Sequence, residues 1–369
     1  MVRALLALAP DHEFLAFGER TSLDSRPSHP SNLRLVAVRQ SAPAVAAAAA
    51  HGYRSPIDML RMTRAVARER PDVFFFPSVY SYFPLLPSQR AVVTVHDTIA
   101  ERFPDLTLPT RRARLFWALK VRLALHQART ILTVSDYAAR EIEAVHGIPR
   151  HRLRVALEAP AEAYRPASSA DVETASHRAG IPPGASWFTY VGGFSPHKRL
   201  DVVLQAHATL ARDPGYPAPH LVLAGHREGD VFLSHGATLE SLARTLGTDR
   251  LIHWTGFLPD EDLRALHTGA VAALLPSESE GFGLPAVEAA ACGTPVVATR
   301  RSPLPDLLTG GGLFVDPGDV AGLATAMRQL LHDPEGRAEL GRVALASARA
   351  LSWADGARVA LSALEEAAA

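Results

Sequence analysis

The sequence predicts an α/β protein of two doubly wound parallel-sheet domains facing a cleft. Three observations carry this. Short apolar runs alternate with amphipathic helical stretches along the chain, the pattern of parallel strands joined by crossover helices. The strand candidates are apolar throughout instead of alternating, which implies helices on both faces of each sheet. The alternation stops at residues 158–186, a stretch rich in Ala, Pro and Ser, and then starts again. A chain of 369 residues is long for one core and sufficient for two.

In the first half, strands are expected at EFLAFG (13–18), LRLVAV (33–38), DVFFFP (72–77), AVVTVH (91–96) and TILTVS (130–135). Helices are expected near 56–70, 109–128 and 136–146, with Asp136 as the cap of the third. A short helix interrupts the linker. Strands then follow at WFTYVG (187–192), HLVLAG (220–225), LIHWTG (251–256), VAALLP (271–276), PVVAT (295–299) and LFVDP (313–317). Helices near 335–350 and 353–367 close the chain. The expected domains are residues 1–165 and 166–352, with 353–369 packing back toward the first. The run Ala46–Ala50 is low complexity and carries no chemistry.

Composition excludes several classes. No apolar run reaches the roughly 18–20 residues that a membrane span needs. The first residues, MVRALLALAPDHEF, lack a small-residue cleavage site, so no signal peptide is expected. The one cysteine, Cys292, cannot form an internal disulfide and fits a reducing cytoplasm. Its Ala-rich setting predicts a buried, inert thiol. No Cys or His cluster has zinc-ligand spacing, and no metal site is expected. Net charge is zero but uneven. Residues 1–160 hold 22 Lys+Arg against 14 Asp+Glu, and residues 161–369 hold 16 against 24. A basic and an acidic half suggest two domains with different partners. Nucleic acid is not among the partners expected.

The most informative stretch is PSESEGFGLPAVEAAACGTPVVAT (276–299). Gly281 and Gly283 allow a tight turn after a buried strand, Pro285 suits the first turn of a helix, and Gly293 suits its end. The helix start then offers free N–H groups to an anion. Glu280 and Glu288 beside an anion site call for a ligand that also has hydroxyls, because carboxylates only accept. A nucleotide sugar has both parts.

Here the chain resembles the retaining glycosyltransferases of family 4, which have the GT-B fold. EGFGLPAVE (280–288) is similar to their Glu-x7-Glu signature, and the text around it matches from LLPSES to PVVAT. SPLPDLL, GGLFVDPGD, LSWADGA, VGGFSPHKRLD, VTVHD and TVSDYAAREI are similar to further family stretches, so the resemblance covers nearly the whole chain. It implies two Rossmann-like domains, with Glu280 on the donor-sugar hydroxyls and Glu288 on the nucleotide ribose. Gly192, Gly193, Gly281, Phe282, Gly283 and Leu284 would line the donor site. Lys198 would neutralise the leaving diphosphate, with His96 near the reacting sugar and Asp97 supporting its loop. Many members have a further arginine near this lysine. Gly193, Phe194 and His197 fill those places here, and Arg199 is the candidate substitute.

The resemblance implies transfer of a hexose, with mannose the candidate, from a nucleotide-diphosphate sugar to a glycan or lipid-linked acceptor. It implies no metal and no cofactor. It also implies that the family's first strand and glycine-rich loop are missing, since MVRALLALAPDHEFLAFG is similar to the end of the first helix and the second strand. That strand is central, and its loss would leave two unpaired edges. A sugar-nucleotide-binding protein without transfer is therefore an alternative reading. A third is an NADP oxidoreductase, because Gly281-Phe282-Gly283 with Ala286 spells G-x-G-x-x-A and Arg300 and Arg301 could hold a 2′-phosphate. Four residues between strand and first glycine, and a proline in the packing region, count against it.

Two other features stand out. Asp260-Glu261-Asp262 spells a metal-binding D-x-D, but after Pro259 it reads as a helix start. Residues 106–135 hold no acid, and Arg111, Arg112, Arg114, Lys120, Arg122 and Arg129 are interleaved with Leu115, Phe116, Trp117 and Leu119. Such a helix packs on a core with a solvated basic face, or rests on an anionic membrane through residues 110–129. The second option would place the protein at the inner face of the cell membrane.

Overall fold

The structure, a computed structural model, describes residues 1–19, 30–41, 55–108, 110–215, 217–225 and 235–369. The run Ala46–Ala50 lies outside these. The chain forms two compact units. One comprises Met1–Glu158 and Trp353–Ala369, the other Ala159–Ser352. The units part seven residues before the expected boundary at 165. Tyr164 explains this, because it is buried in the second unit and its hydroxyl donates to Asp260 at 3.1 Å.

In the first unit, α1 (Val2–Leu8) precedes β1 (Phe14–Gly18) and β2 (Leu33–Ala37). Then come α2 (Pro56–Glu69), β3 (Phe74–Phe76), β4 (Ala91–Thr94), α3 (Arg111–Gln127), β5 (Ala128–Thr133), α4 (Asp136–His146) and β6 (Leu153–Val155). Strands β1 and β2 pair in one parallel sheet, and β3-β4-β5-β6 in another, so β1 and β3 are both end strands among the described residues. Both sheets nonetheless share a core. The rings of Phe17 and Phe74 are 5.7 Å apart, and Phe74, Phe76, Tyr82 and Phe83 continue the cluster. The opposite face is covered by α12 (Trp353–Ala368) through Ala357, Ala360, Ala363, Leu364 and Ala367. This small-residue stripe brings the helix close. A Cβ on Gly356 would sit 2.2 Å from the Leu157 carbonyl oxygen.

One local expectation is corrected. The cap of α4 is Ser135, whose hydroxyl accepts from the Ala138 N–H at 2.9 Å, not Asp136. Asp136 is the first helical residue and instead accepts from Arg150 at 2.7 Å. Ser135 is buried, so its short side chain serves the helix end that faces the protein.

The second unit opens with α5 (Ser169–Arg178), closed by a capping box between Ser168 and Asp171. It continues through β7 (Trp187–Val191), α6 (Leu200–Ala211), β8 (His220–Ala224), α7 (Gly236–Leu246), β9 (Ile252–Gly256), α8 (Asp260–Gly269), β10 (Ala273–Leu275), α9 (Leu284–Ala291), β11 (Val296–Thr299), β12 (Gly312–Val315), α10 (Val320–His332) and α11 (Pro334–Arg349). Its six strands are all parallel, in the order β12-β11-β10-β7-β8-β9. The winding reverses between β7 and β10, and in such sheets the crevice for a ligand opens at the carboxyl ends of the two strands flanking the reversal. Those ends are Val191 and Leu275, which lead into VGGFSPHKR and PSESEGFG. Among the described residues, no helix is long and apolar enough to cross a membrane.

Candidate active site

The loop after β10 runs into α9 through Gly283, which has φ 84° and is the residue before the helix. A side chain there would be strained, and its Cβ would meet Leu304 at 2.8 Å. Pro285 occupies the first turn. Ala286, Val287, Ala289, Ala290 and Ala291 bury the helix against the sheet. The helix ends at Cys292, followed by Gly293 with φ 82°. Burial pushes the Cys292 thiol up to about 12, so it is inert at neutral pH.

Three loops meet at this end of the sheet. The Glu278 N–H donates to the His197 carbonyl at 2.7 Å, tying the β10 loop to the β7 loop. The Glu280 N–H donates to the Arg301 carbonyl at 3.0 Å, tying it to the segment after β11. Lys198 Nζ donates to Glu280 Oε1 at 2.8 Å, and Ser277 Oγ donates to the same oxygen at 2.5 Å. Glu280 is almost fully buried. Burial alone would raise its pKa, but the Lys198 charge and these two hydrogen bonds outweigh it and hold the carboxyl below its usual range. His197 is also buried. Burial first, and then the Lys198 charge, lower it to about 4, so its ring is neutral at pH 7.

The β7 loop owes its shape to Gly192, with φ 150°, where a Cβ would meet the Tyr190 hydroxyl at 2.9 Å. That hydroxyl donates to the Gly193 carbonyl at 2.7 Å. Arg199 lies in the left-handed region, φ 54°, which is costly for a residue with a side chain. Its guanidinium donates to Asp201 at 3.2 and 3.3 Å and to Glu278 Oε2 at 2.9 Å. Arg301 donates to the other Glu278 oxygen, also at 2.9 Å.

Lys198, Arg199, Glu280 and Gly281–Leu284 therefore come together with Gly192 and Gly193 at one end of the sheet. Phe282 is buried beneath the turn. Glu288 lies one helical turn beyond Leu284 on the same face of α9, half-buried, and its charge adds to burial in raising the Tyr164 pKa. Ser277, Glu278 and Asp201 were not singled out from the sequence, and Arg301 was singled out there only for a 2′-phosphate. The alternation Ser-Glu-Ser-Glu after the strand was the available signal for two of them. The D-x-D acids lie in the first turn of α8, where Asp260 accepts from Tyr164 and Asp262 from Arg178 at 3.1 Å. Arg300 and Arg301, the candidates for a 2′-phosphate, pair with Asp316 at 3.7 Å and Glu278 at 2.9 Å.

In the first unit, His96 and Asp97 follow β4. Asp97 Oδ1 accepts from the Ile99 N–H at 3.0 Å and so starts the short helix Ile99–Arg102. Burial lowers the His96 pKa against the opposing effect of Asp97. His96 Nε2 is 3.9 Å from Glu158, itself pushed up to about 7 by burial. Helix α3 turns Trp117, Val121, Ala124 and Leu125 inward. Its other face shows Leu115, Phe116, Leu119 and Leu123 to solvent, with Leu115 74% exposed.

The chain is similar to known proteins along almost its whole length. The model for Glycosyltransferase Family 4 matches residues 1–156, and that for Glycosyl transferases group 1 matches 171–345. The O-antigen chain mannosyltransferase B of Escherichia coli is 32% identical over 267 residues, 72% of this chain and 67% of that protein. A D-inositol 3-phosphate glycosyltransferase of Corynebacterium kroppenstedtii is 34% identical over 57% of this chain and 47% of its own length. The chain thus spans about two thirds of the Escherichia coli relative and about half of the Corynebacterium one. In fold, it is similar to the sucrose-phosphate synthase of Thermosynechococcus elongatus, with a TM-score of 0.77 at 19% identity, covering 99% of this chain and 91% of that one. Anabaena Alr3699/HepE, solved with UDP and glucose, aligns with a TM-score of 0.68 at 18% identity, over 99% and 94% of the two chains.

Proposed function

The chain belongs to the GT-B glycosyltransferases of family 4, and on that premise we propose that it is a hexosyltransferase. It would move a sugar from a nucleotide-diphosphate donor to a glycan or lipid-linked acceptor, with retention of configuration and without a metal ion. Mannose is the sugar we favour, because the Escherichia coli relative bears the name of a mannosyltransferase. The observation that carries the reading is the Lys198–Glu280 pair beside the start of α9.

The roles follow from the chemistry of these groups. The positive end of the α9 dipole attracts a phosphate, since Pro285 has no N–H and those of Ala286 and Val287 already donate to the Gly283 carbonyl. Lys198 supplies positive charge where the leaving diphosphate gains negative charge, which stabilises the transition state more than the ground state. Glu280, held ionised, accepts from hydroxyls of the donor sugar, and Glu288 accepts from the ribose. Burial keeps His96 neutral, so one ring nitrogen donates and the other accepts toward a sugar hydroxyl.

Calorimetric titration with UDP, GDP and ADP tests the reading. One nucleotide is expected to bind, and Glu288→Ala to weaken it roughly tenfold or more, the loss for a charged hydrogen bond. A folded chain that binds none of the three would overturn it.

We further propose that α3 rests on an anionic membrane, bringing a lipid-linked acceptor within reach. Its exposed apolar side chains sit beside Arg111, Arg112 and Arg122, the composition of an interfacial helix. Sedimentation with vesicles is expected to show binding to phosphatidylglycerol-rich and not to neutral membranes. The triple change Leu115→Ser, Phe116→Ser and Leu119→Ser should reduce it about tenfold or more, from lost apolar burial. Equal binding by the triple variant would refute the docking face.

A further inference from the structure

Glu278 holds two arginines that come from opposite sides of the loop bearing it. Arg199 follows β7, and Arg301 follows β11, and each donates to a different oxygen of the one carboxylate at 2.9 Å. The Glu278 side chain is 14% exposed, Arg199 25% and Arg301 55%. The neighbourhood is charge-balanced, with Lys198, Arg199 and Arg301 set against Glu278, Glu280 and Asp201. The loops do not need this carboxylate to stay together, because the backbone bonds from Glu278 to His197 and from Glu280 to Arg301 already join them. The left-handed backbone at Arg199 would suit glycine, yet an arginine is placed there with its guanidinium over Gly318, where an added Cβ would lie 3.4 Å from it.

We propose that Glu278 is a counter-ion gate on the donor diphosphate. In the free site it occupies the two guanidinium groups. An arriving diphosphate competes for the same planar donors and draws them away. The carboxylate thereby keeps both arginines ordered before the donor binds, which reduces the rearrangement needed at that step. It also weakens the grip on the diphosphate, because an anion gains less from a balanced cluster than from a positive one. After transfer, Glu278 retakes the arginines and helps expel the nucleoside diphosphate. The inference rests on the nucleotide-sugar reading above.

The test compares nucleoside diphosphate with monophosphate affinity, using UDP and UMP, GDP and GMP, and ADP and AMP. Glu278→Gln keeps the shape and removes the charge. It is expected to raise the diphosphate-to-monophosphate affinity ratio about tenfold, one charge-assisted interaction's worth. Arg301→Gln, at a half-exposed position, should lower the ratio by a similar factor, and the double variant should resemble Arg301→Gln alone. If the parent chain binds no nucleotide, the donor reading fails and the gate with it. If it binds but Glu278→Gln leaves the ratio unchanged or lowers it, Glu278 is only a brace and the gate is refuted. Should Glu278→Gln not fold, an unchanged ratio in Arg301→Gln refutes the gate equally.

Discussion

Lys198→Ala is expected to reduce sugar transfer about 100- to 1,000-fold, the usual cost of removing a group aimed at charge developing in a transition state. The change also reaches Glu280, which is buried and loses its cation. Burial then acts on Glu280 with only Ser277 and lesser neighbours to oppose it, so its pKa rises. The acid limb of the pH–rate profile should therefore move up toward neutrality, while Lys198→Arg should hold it near the parent position. Stability follows the same linkage. The depressed Glu280 pKa stabilises the fold above the ordinary carboxyl value of 4.5, and this is lost as pH falls through the folded value. An unshifted acid limb with a merely lower rate would show that Lys198 does not control Glu280.

The second large effect is predicted for Glu101, in the short helix behind the His96 loop. Burial, aided by the Asp97 charge, pushes Glu101 up to about 7 even though Trp117 donates to it at 2.8 Å. His146 lies 3.6 Å away, but burial lowers its pKa and leaves it a poor counter-ion at neutral pH. A buried acid with a raised pKa is protonated more readily in the folded chain than in the unfolded one. The folded state thus binds the extra proton between about 4.5 and about 7, and stability falls as pH rises through that window. The cost at pH 8 is roughly 3–4 kcal/mol, at 1.36 kcal/mol per pH unit. Glu101→Gln, which can still accept from Trp117, should stabilise the chain by about that much at pH 8 and change little at pH 4.5. Urea midpoints at the two pH values measure it, and equal shifts at both would contradict the assignment.

Neither effect could be read from the sequence in full. Glu280 was legible because a glycine turn and a proline at a helix start specify local geometry whatever surrounds them, and Lys198 through the resemblance to family 4. Their ion pair was not, since 82 residues separate them and only the adjacency of β7 and β10 brings them within 2.8 Å. Glu101 gave no signal, because what perturbs it is burial among side chains from α3 and α4. Helix α3 was ambiguous in a different way. Leu115, Phe116, Trp117 and Leu119 are equally apolar in the sequence, yet Trp117 is buried and the other three are exposed. Ser135 and Asp136 are both good caps by composition, and the direction of the chain into α4 selected Ser135.

The sequence alone therefore determined the alternation of strands and helices, the family, and the turn that aims α9. The family is carried by the resemblance of whole motifs, and the rest depends on periodicity and on the backbone freedom of a few glycines and prolines, which are properties of neighbours along the chain. The tertiary structure decided which charges neutralise each other. Glu278 between Arg199 and Arg301, Glu280 against Lys198, and Glu101 without a ready counter-ion all arise where loops from different strands or helices meet. Whether a carboxylate there is ionised or protonated, held or free to bind, is set by burial and by the distance to a cation, and neither quantity exists until the chain has folded.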